Sequence, residues 1–185
     1  MNKIYLKIRT NAPIVLAVLM LLIFPVFVSG QINVSPDSVK TIVIDAEELK
    51  NLVKSPEKKQ PILINFWATW CGICRNEFPD LVNIHKDYRE RGLNFFIVSV
   101  DTVSLADTTV SNFLKDYGAE MPSYLLDAPS RRQITQAIRQ IAPRFSGNYP
   151  MTLLFNKNGK LIYRKNGTIN PKILKTQIDK VLPKK

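Results

Sequence analysis

Ile62-Leu-Ile-Asn-Phe-Trp-Ala-Thr-Trp-Cys-Gly-Ile-Cys-Arg-Asn-Glu-Phe-Pro79 is the stretch on which the reading of this chain turns. Ile62–Trp67 is almost continuously apolar, the pattern of a central strand covered on both faces. Cys71 opens the helix that follows. Phe78, Leu81, Val82, His85 and Tyr88 then recur at helical spacing as far as Arg91-Gly92, where Gly92 stops the run. Both cysteines of the protein therefore lie three apart, directly after a buried strand and at the start of a helix. The first sits over unsatisfied N–H groups and the positive end of the helix dipole, which favours its thiolate. The second, one turn on, is close enough to close a disulfide. An exposed, low-pKa nucleophile beside a resolving thiol is what thiol–disulfide exchange requires. Gly72 leaves the backbone open to a protein substrate.

Three other uses of these cysteines are weaker. A static disulfide here closes a tiny loop and gains little chain entropy. A metal-transfer pair calls for Met or His nearby, and none lies within ten residues of Cys71. A peroxide-reducing cysteine calls for Thr three residues before it, where this chain has Ala68. With two cysteines and one histidine the protein lacks the four N/S ligands of a structural zinc site, and no metal site is expected.

Moving outward, 185 residues allow one globular domain, and 45% apolar with 22% charged residues is ordinary for a folded chain. Residues 1–30 hold no acidic residue. Lys3, Lys7 and Arg9 precede an apolar run from Ala12 to Val28, and Ser29-Gly30 follow. That is the order of a secretory signal peptide, or of an uncleaved membrane anchor, since the run approaches the length of a span. Either reading sends the rest of the chain across a membrane. Residues 31–40 read as a linker. Removing residues 1–30 takes three cations with it and leaves 155 residues and a charge of +8. A domain of that size folds on its hydrophobic core alone.

The remaining elements follow from pattern. Thr41–Ile44 is a short strand. Asp45 caps a helix to about Lys54, with Glu48 in capping-box position. Leu93–Val100 is a second buried strand, Asp107–Tyr117 a helix, Ser123–Leu126 a strand and Ser130–Ile141 a helix. Met151–Phe155 and Lys160–Lys165 form a hairpin around Asn156–Gly159, and Pro171–Leu182 is a closing helix. Strands alternating with helices imply an α/β fold with a mainly parallel sheet, to which the late hairpin adds antiparallel strands.

The stretch Asn65–Pro79 resembles the active-site segment of the thioredoxin superfamily. Its tail, Cys-Arg-Asn-Glu-Phe-Pro, is similar to that of the extracytoplasmic TlpA/ResA-like branch, which includes the CcmG-type proteins. The resemblance covers about residues 41–182. It implies a thioredoxin fold: a central mixed sheet with helices on both faces, and a TlpA-like insertion of a helix and a short strand before Ser130. It implies that Tyr149-Pro150-Met151-Thr152 carries a cis-proline facing the disulfide. Pro150 is then expected to present hydrogen bonds to an extended substrate, with Tyr149, Trp70, Gly72 and Ile73 touching it. It also implies that Glu77, one turn beyond Cys74, lies near the sulfurs, where a carboxylate raises thiol pKa values and accepts a proton from Cys74. One departure stands out. Where ordinary thioredoxins bury an Asp beneath the disulfide, this chain has Asn65, which does not titrate.

The resulting expectation is a periplasmic, or otherwise extracytoplasmic, thiol–disulfide oxidoreductase. It would reduce protein disulfides, with cytochrome c maturation as one setting, and need no cofactor beyond the redox-active Cys71–Cys74 disulfide. The resemblance implies a membrane thiol donor of the DsbD/CcdA type. A monomer is expected. A non-catalytic binding module of the same fold is the alternative; it would survive loss of both thiols. His85 falls on the apolar stripe and reads as a packing residue. Trp67 reads as core, whereas Trp70 is expected to shield the nucleophile. The basic excess looks spread along the chain, without aromatic interleaving, so no nucleic-acid partner is expected.

Overall fold

The structure, a computed structural model, describes residues 40–54 and 60–182. The signal or anchor expected at 1–30 and all but the last residue of the expected linker lie outside the described residues. Among those described, no helix is long and apolar enough to cross a membrane.

Six strands form one sheet: β1 (Thr41–Ile44), β2 (Ile62–Trp67), β3 (Asn94–Ser99), β4 (Ser123–Leu126), β5 (Met151–Phe155) and β6 (Leu161–Asn166). Their order is β1-β4-β3-β2-β5-β6. The first four run parallel, β5 is antiparallel to β2, and β6 is antiparallel to β5. Every residue of β2 and β5 is buried, and successive side chains point to opposite faces, so both faces of the sheet centre are covered. At the edge, β6 has no fully buried residue.

The helices are α1 (Ala46–Lys54), α2 (Gly72–Tyr88), α3 (Ser111–Asp116), α4 (Arg131–Arg139) and α5 (Pro171–Val181). The capping box of α1 is built as expected. Asp45 Oδ1 accepts from the N–H groups of Glu47 and Glu48, at 2.9 and 2.8 Å, and Glu48 Oε2 accepts from the Asp45 N–H at 2.8 Å. Asn170 caps α5, with Pro171 at its first position. α2 gives way at Tyr88 to a 3₁₀ turn, Arg89–Arg91, and Gly92 follows at φ 84°. Only glycine adopts that left-handed backbone freely. α2 and α5 pack together, as do α1 and α4. Lys175 of α5 pairs with Asp87 at 2.6 Å.

The helix expected at Asp107–Tyr117 is present but irregular in its first half. A 3₁₀ turn at Val103–Leu105 leads into a wide turn at Ala106–Val110, and regular helix begins only at Ser111. Thr108, Thr109 and Val110 are β-branched and favour helix weakly. Ser111 Oγ also donates to the Ala106 carbonyl at 2.9 Å, which widens the turn by one residue. Phe113 and Tyr117 still reach the core. With Trp67 and Phe78 they form an aromatic cluster, ring centroids 4.4–5.3 Å apart. That cluster fastens the inserted segment beneath the end of the sheet where both cysteines lie.

Candidate active site

The site starts at the end of β2. Thr69 is tied to Asp101, just past β3: its N–H and Oγ1 donate to the Asp101 carboxylate at 2.9 and 2.7 Å. Ser99 Oγ donates to the same carboxylate at 2.6 Å. Asp101 is buried, and every one of these bonds has an ionisable acceptor, the stronger kind. The turn that delivers Trp70 and Cys71 from β2 is thereby fixed to the end of β3. The Cys71 N–H closes it onto the Ala68 carbonyl at 3.1 Å.

Cys71 is the N-cap of α2 rather than its first residue. Its Sγ accepts from the Cys74 N–H at 3.3 Å. That N–H would stabilise a thiolate on Cys71, as would the helix N-terminus. The two sulfurs form a disulfide, with Cα atoms 5.2 Å apart. The expected exposed nucleophile is more enclosed than the sequence implied: Cys71 is only 7% exposed and Cys74 1%. Cys71 is reached through a groove of about 560 Å³. Trp70 and Ile73, at 61% and 51% exposed, stand on the groove wall, and Tyr149 stands opposite with its ring edge-on to Trp70 at 6.2 Å. A Cβ added to Gly72 would meet open space.

The Tyr149–Pro150 peptide bond is cis. Pro150 has no N–H, and its carbonyl accepts from Gly167 N–H at 2.8 Å. Tyr149 is partly buried, its hydroxyl has no hydrogen-bond partner among the described residues, and burial pushes its pKa up to about 12.

One turn beyond Cys74, α2 carries Glu77 into a buried polar cluster that the sequence showed only in part. Glu77 is 2% exposed, not a solvated helix residue. Its Oε1 accepts from Asn65 Nδ2 at 3.0 Å and its Oε2 from the Ile169 N–H at 2.8 Å. Asn65 Nδ2 also donates to Thr152 Oγ1 at 3.0 Å, because the β2–β5 register sets Asn65 opposite Thr152. Desolvation raises the Glu77 pKa above its ordinary 4.5, against the two hydrogen bonds, which lower it.

The groove thus gathers Trp70, Cys71, Ile73 and Tyr149, with Cys74, Glu77 and Asn65 inside the protein. His85 is elsewhere, edge-on to Phe95 at 6.1 Å. Sequence reasoning missed Asp101, Thr152 and the Ile169 N–H. Asp101 did carry a signal: an acidic residue directly after an apolar strand, at the sheet end where the cysteines emerge.

A mixed sheet of this order, with a cysteine pair at the helix N-terminus after its central strand and a cis-proline loop alongside, defines a thiol–disulfide oxidoreductase of thioredoxin fold. The Redoxin family model matches residues 35–182, and the chain belongs to that family. It is a ResA- and CcmG-like member of the thioredoxin superfamily. Its relatives include the thiol-disulfide oxidoreductase ResA of Bacillus subtilis (strain 168), 29% identical over 180 residues, covering 96% of this chain and 94% of that one. ResA of Bacillus anthracis is 26% identical over 157 residues and covers 83% and 81%. Among solved structures, a thioredoxin-family thiol:disulfide interchange protein from Chlorobium tepidum TLS superposes with a TM-score of 0.55. It is 23% identical over 69% of this chain and 83% of that one. StoA from Bacillus subtilis gives 0.51, at 21% identity over 66% and 85%.

Proposed function

We propose that this protein reduces disulfides in protein substrates outside the cytoplasm. Residues 1–30 serve as signal or anchor, 31–40 as linker and 41–185 as the catalytic domain. The observation that carries the reading is the Cys71–Cys74 pair at the N-terminus of α2, with Cys71 opening on a groove and buried Glu77 one turn beyond Cys74.

Cys71 thiolate attacks one sulfur of a substrate disulfide. That S–S bond breaks, the other substrate sulfur leaves as thiolate and takes up a proton, and a mixed disulfide remains. Cys74, giving its proton to Glu77, attacks Cys71 Sγ. The Cys71–Cys74 bond forms and the second substrate thiol is released, so two electrons pass from the pair to the substrate. Pro150 has its carbonyl engaged and no N–H, so the backbone of Tyr149 is the group that meets an extended substrate. Trp70 and Ile73 supply apolar contact. No cofactor is needed beyond the cysteine pair. A membrane thiol donor of the DsbD/CcdA type restores the dithiol, and the protein acts as a monomer.

The reducing direction is supported by the dipeptide between the cysteines. Gly72-Ile73 carries no charge to stabilise the Cys71 thiolate, and a well-stabilised reduced form is what makes an oxidant of this fold. The ResA- and CcmG-type resemblance supports apocytochrome c cysteine pairs as one substrate class. The test is a Cys74→Ala trap in cells, with mass spectrometry of partners bound to Cys71, and a redox titration of the wild type. Mixed disulfides and a potential below about −200 mV are expected. Absence of trapped partners overturns exchange, and a markedly less negative potential overturns the direction.

A further inference from the structure

The basic excess is less even along the chain than it first looks. Residues 128–178 contain ten cations, from Arg131 to Lys175, and no Asp or Glu. This run supplies α4, the Tyr149–Pro150 loop and both hairpin strands, and thereby a whole wall of the groove over Cys71. Arg131 lines that groove together with Cys71, Trp70 and Tyr149. It also lines a second cavity of about 460 Å³, shared with Arg132 and Arg139. The two cavities meet at Arg131, and no acidic side chain lines either. All three arginines are exposed. Among the described residues the ion pairs engage Lys50, Arg89, Arg91 and Lys175, and none of the three. Arg139 is instead held by its Nε donating to the Phe145 carbonyl at 2.9 Å.

We infer that the groove selects disulfide substrates bearing acidic side chains on one flank of the reacting cystine. This rests on the reading of Cys71–Cys74 as an exchange site for protein disulfides. The segment lies across Trp70 and Tyr149 with its disulfide at Cys71. Its carboxylates enter the cavity lined by Arg131, Arg132 and Arg139, where guanidinium groups match carboxylate geometry. A like-charged second copy of this chain is a poor occupant. Continuity with the reacting sulfur favours a substrate over a membrane surface. Charge at such a rim acts chiefly on the association rate.

The test uses peptides with one internal disulfide and a fixed core, carrying three Glu, three Gln or three Lys on one side. Each is reduced by the reduced wild-type protein. The Glu peptide should react about 10-fold faster than the Lys peptide at low salt, with Gln between. The ratio should collapse toward one at 1 M salt, where the screening length is about 3 Å. In Arg131→Glu/Arg132→Glu the order should invert, with the Lys peptide fastest, and Arg132→Gln should give an intermediate ratio. Because the readout is a ratio within one variant, a loss of folded protein does not mimic it. Equal rates for the three peptides overturn the inference while leaving exchange intact. No reaction with any peptide overturns the exchange reading itself. Arginine-dependent binding to anionic phospholipid vesicles without a peptide preference assigns the patch to a membrane and also overturns it.

Discussion

Helix α2 buries one carboxylate and one imidazole, Glu77 one turn beyond Cys74 and His85 toward its far end, and they are alike in most respects. Glu77 is 2% exposed and His85 8%. Desolvation is the largest influence on both, raising the Glu77 pKa and lowering that of His85, so each is pushed toward its neutral form. The difference is wiring. Glu77 takes donors from two other parts of the chain, Asn65 on β2 and the Ile169 backbone before α5. His85 meets the edge of Phe95, and its Nδ1 has no partner among the described residues. A shifted pKa therefore does not distinguish a working group from a packed one here. What sets Glu77 apart is its place one turn beyond Cys74 and the hydrogen bonds it receives from β2 and from the segment before α5.

The largest effects belong to the near end of α2. Cys71→Ser should lower disulfide reductase turnover by about 1,000-fold or more. Cys74→Ala should allow attack but no release, so that a mixed disulfide accumulates on non-reducing gels. Glu77→Gln should come next, slowing release by about 10- to 100-fold. If Glu77 takes the Cys74 proton as proposed, it does so as the carboxylate, and release in the wild type should speed up as pH rises through the Glu77 pKa, which lies above 4.5. Gln should erase that limb in stopped-flow traces. An unchanged pH profile would make Glu77 a packing group like His85 and remove the distinction between the two ends.

What was legible in the sequence divides along the same line. Local signals placed the elements well. The Asp45/Glu48 box, the apolar run Ile62–Trp67 and the Asn156–Gly159 turn each have a short-range cause, and strands β1, β2, β4 and β5 have the bounds their patterns implied. Cys71 and Cys74 were visible because their spacing is itself the chemistry. The Glu77 pocket was only half visible. Its donors lie 12 and 92 residues away, and no local pattern records that β2–β5 register sets Asn65 opposite Thr152. The arginines of α4 are visible in the sequence, but not that Arg131 lines the groove, because α4 and the Tyr149 loop meet only in three dimensions. At Asp107–Val110 the expected helix is present but wider than α-helical, a departure that fits its β-branched residues and the Ser111–Ala106 bond.

Asp101 offers a smaller effect that sharpens the comparison. Its carboxylate holds the Thr69 turn without touching the groove. Asp101→Ala leaves the Thr69 N–H, Thr69 Oγ1 and Ser99 Oγ without their acceptor, and should cost about 1–3 kcal/mol in urea unfolding. Exchange should slow modestly as Cys71 loses its fixed approach, without the altered pH limb expected of Glu77→Gln. A variant as stable as wild type would mean the turn is held by the Cys71–Ala68 bond and the strands alone.

The smallest effect on activity is expected at His85, and it tests the comparison most directly. His85→Leu should leave exchange rates and their pH profile unchanged. Its signature should be in stability. The folded pKa is lowered below 6.5, so the unfolded chain binds the proton first. The contribution of His85 is therefore present above pH 6.5 and lost as pH falls through the folded value. Glu77 runs the opposite way. Its folded pKa is raised, so its contribution is present below 4.5 and lost as pH rises through the folded value. Subtracting the stability curve of each variant from that of the wild type should give two limbs of opposite slope. If His85→Leu also shifts the pH dependence of exchange, the far end of α2 is coupled to the cysteines, and burial rather than wiring defines the working groups of this helix.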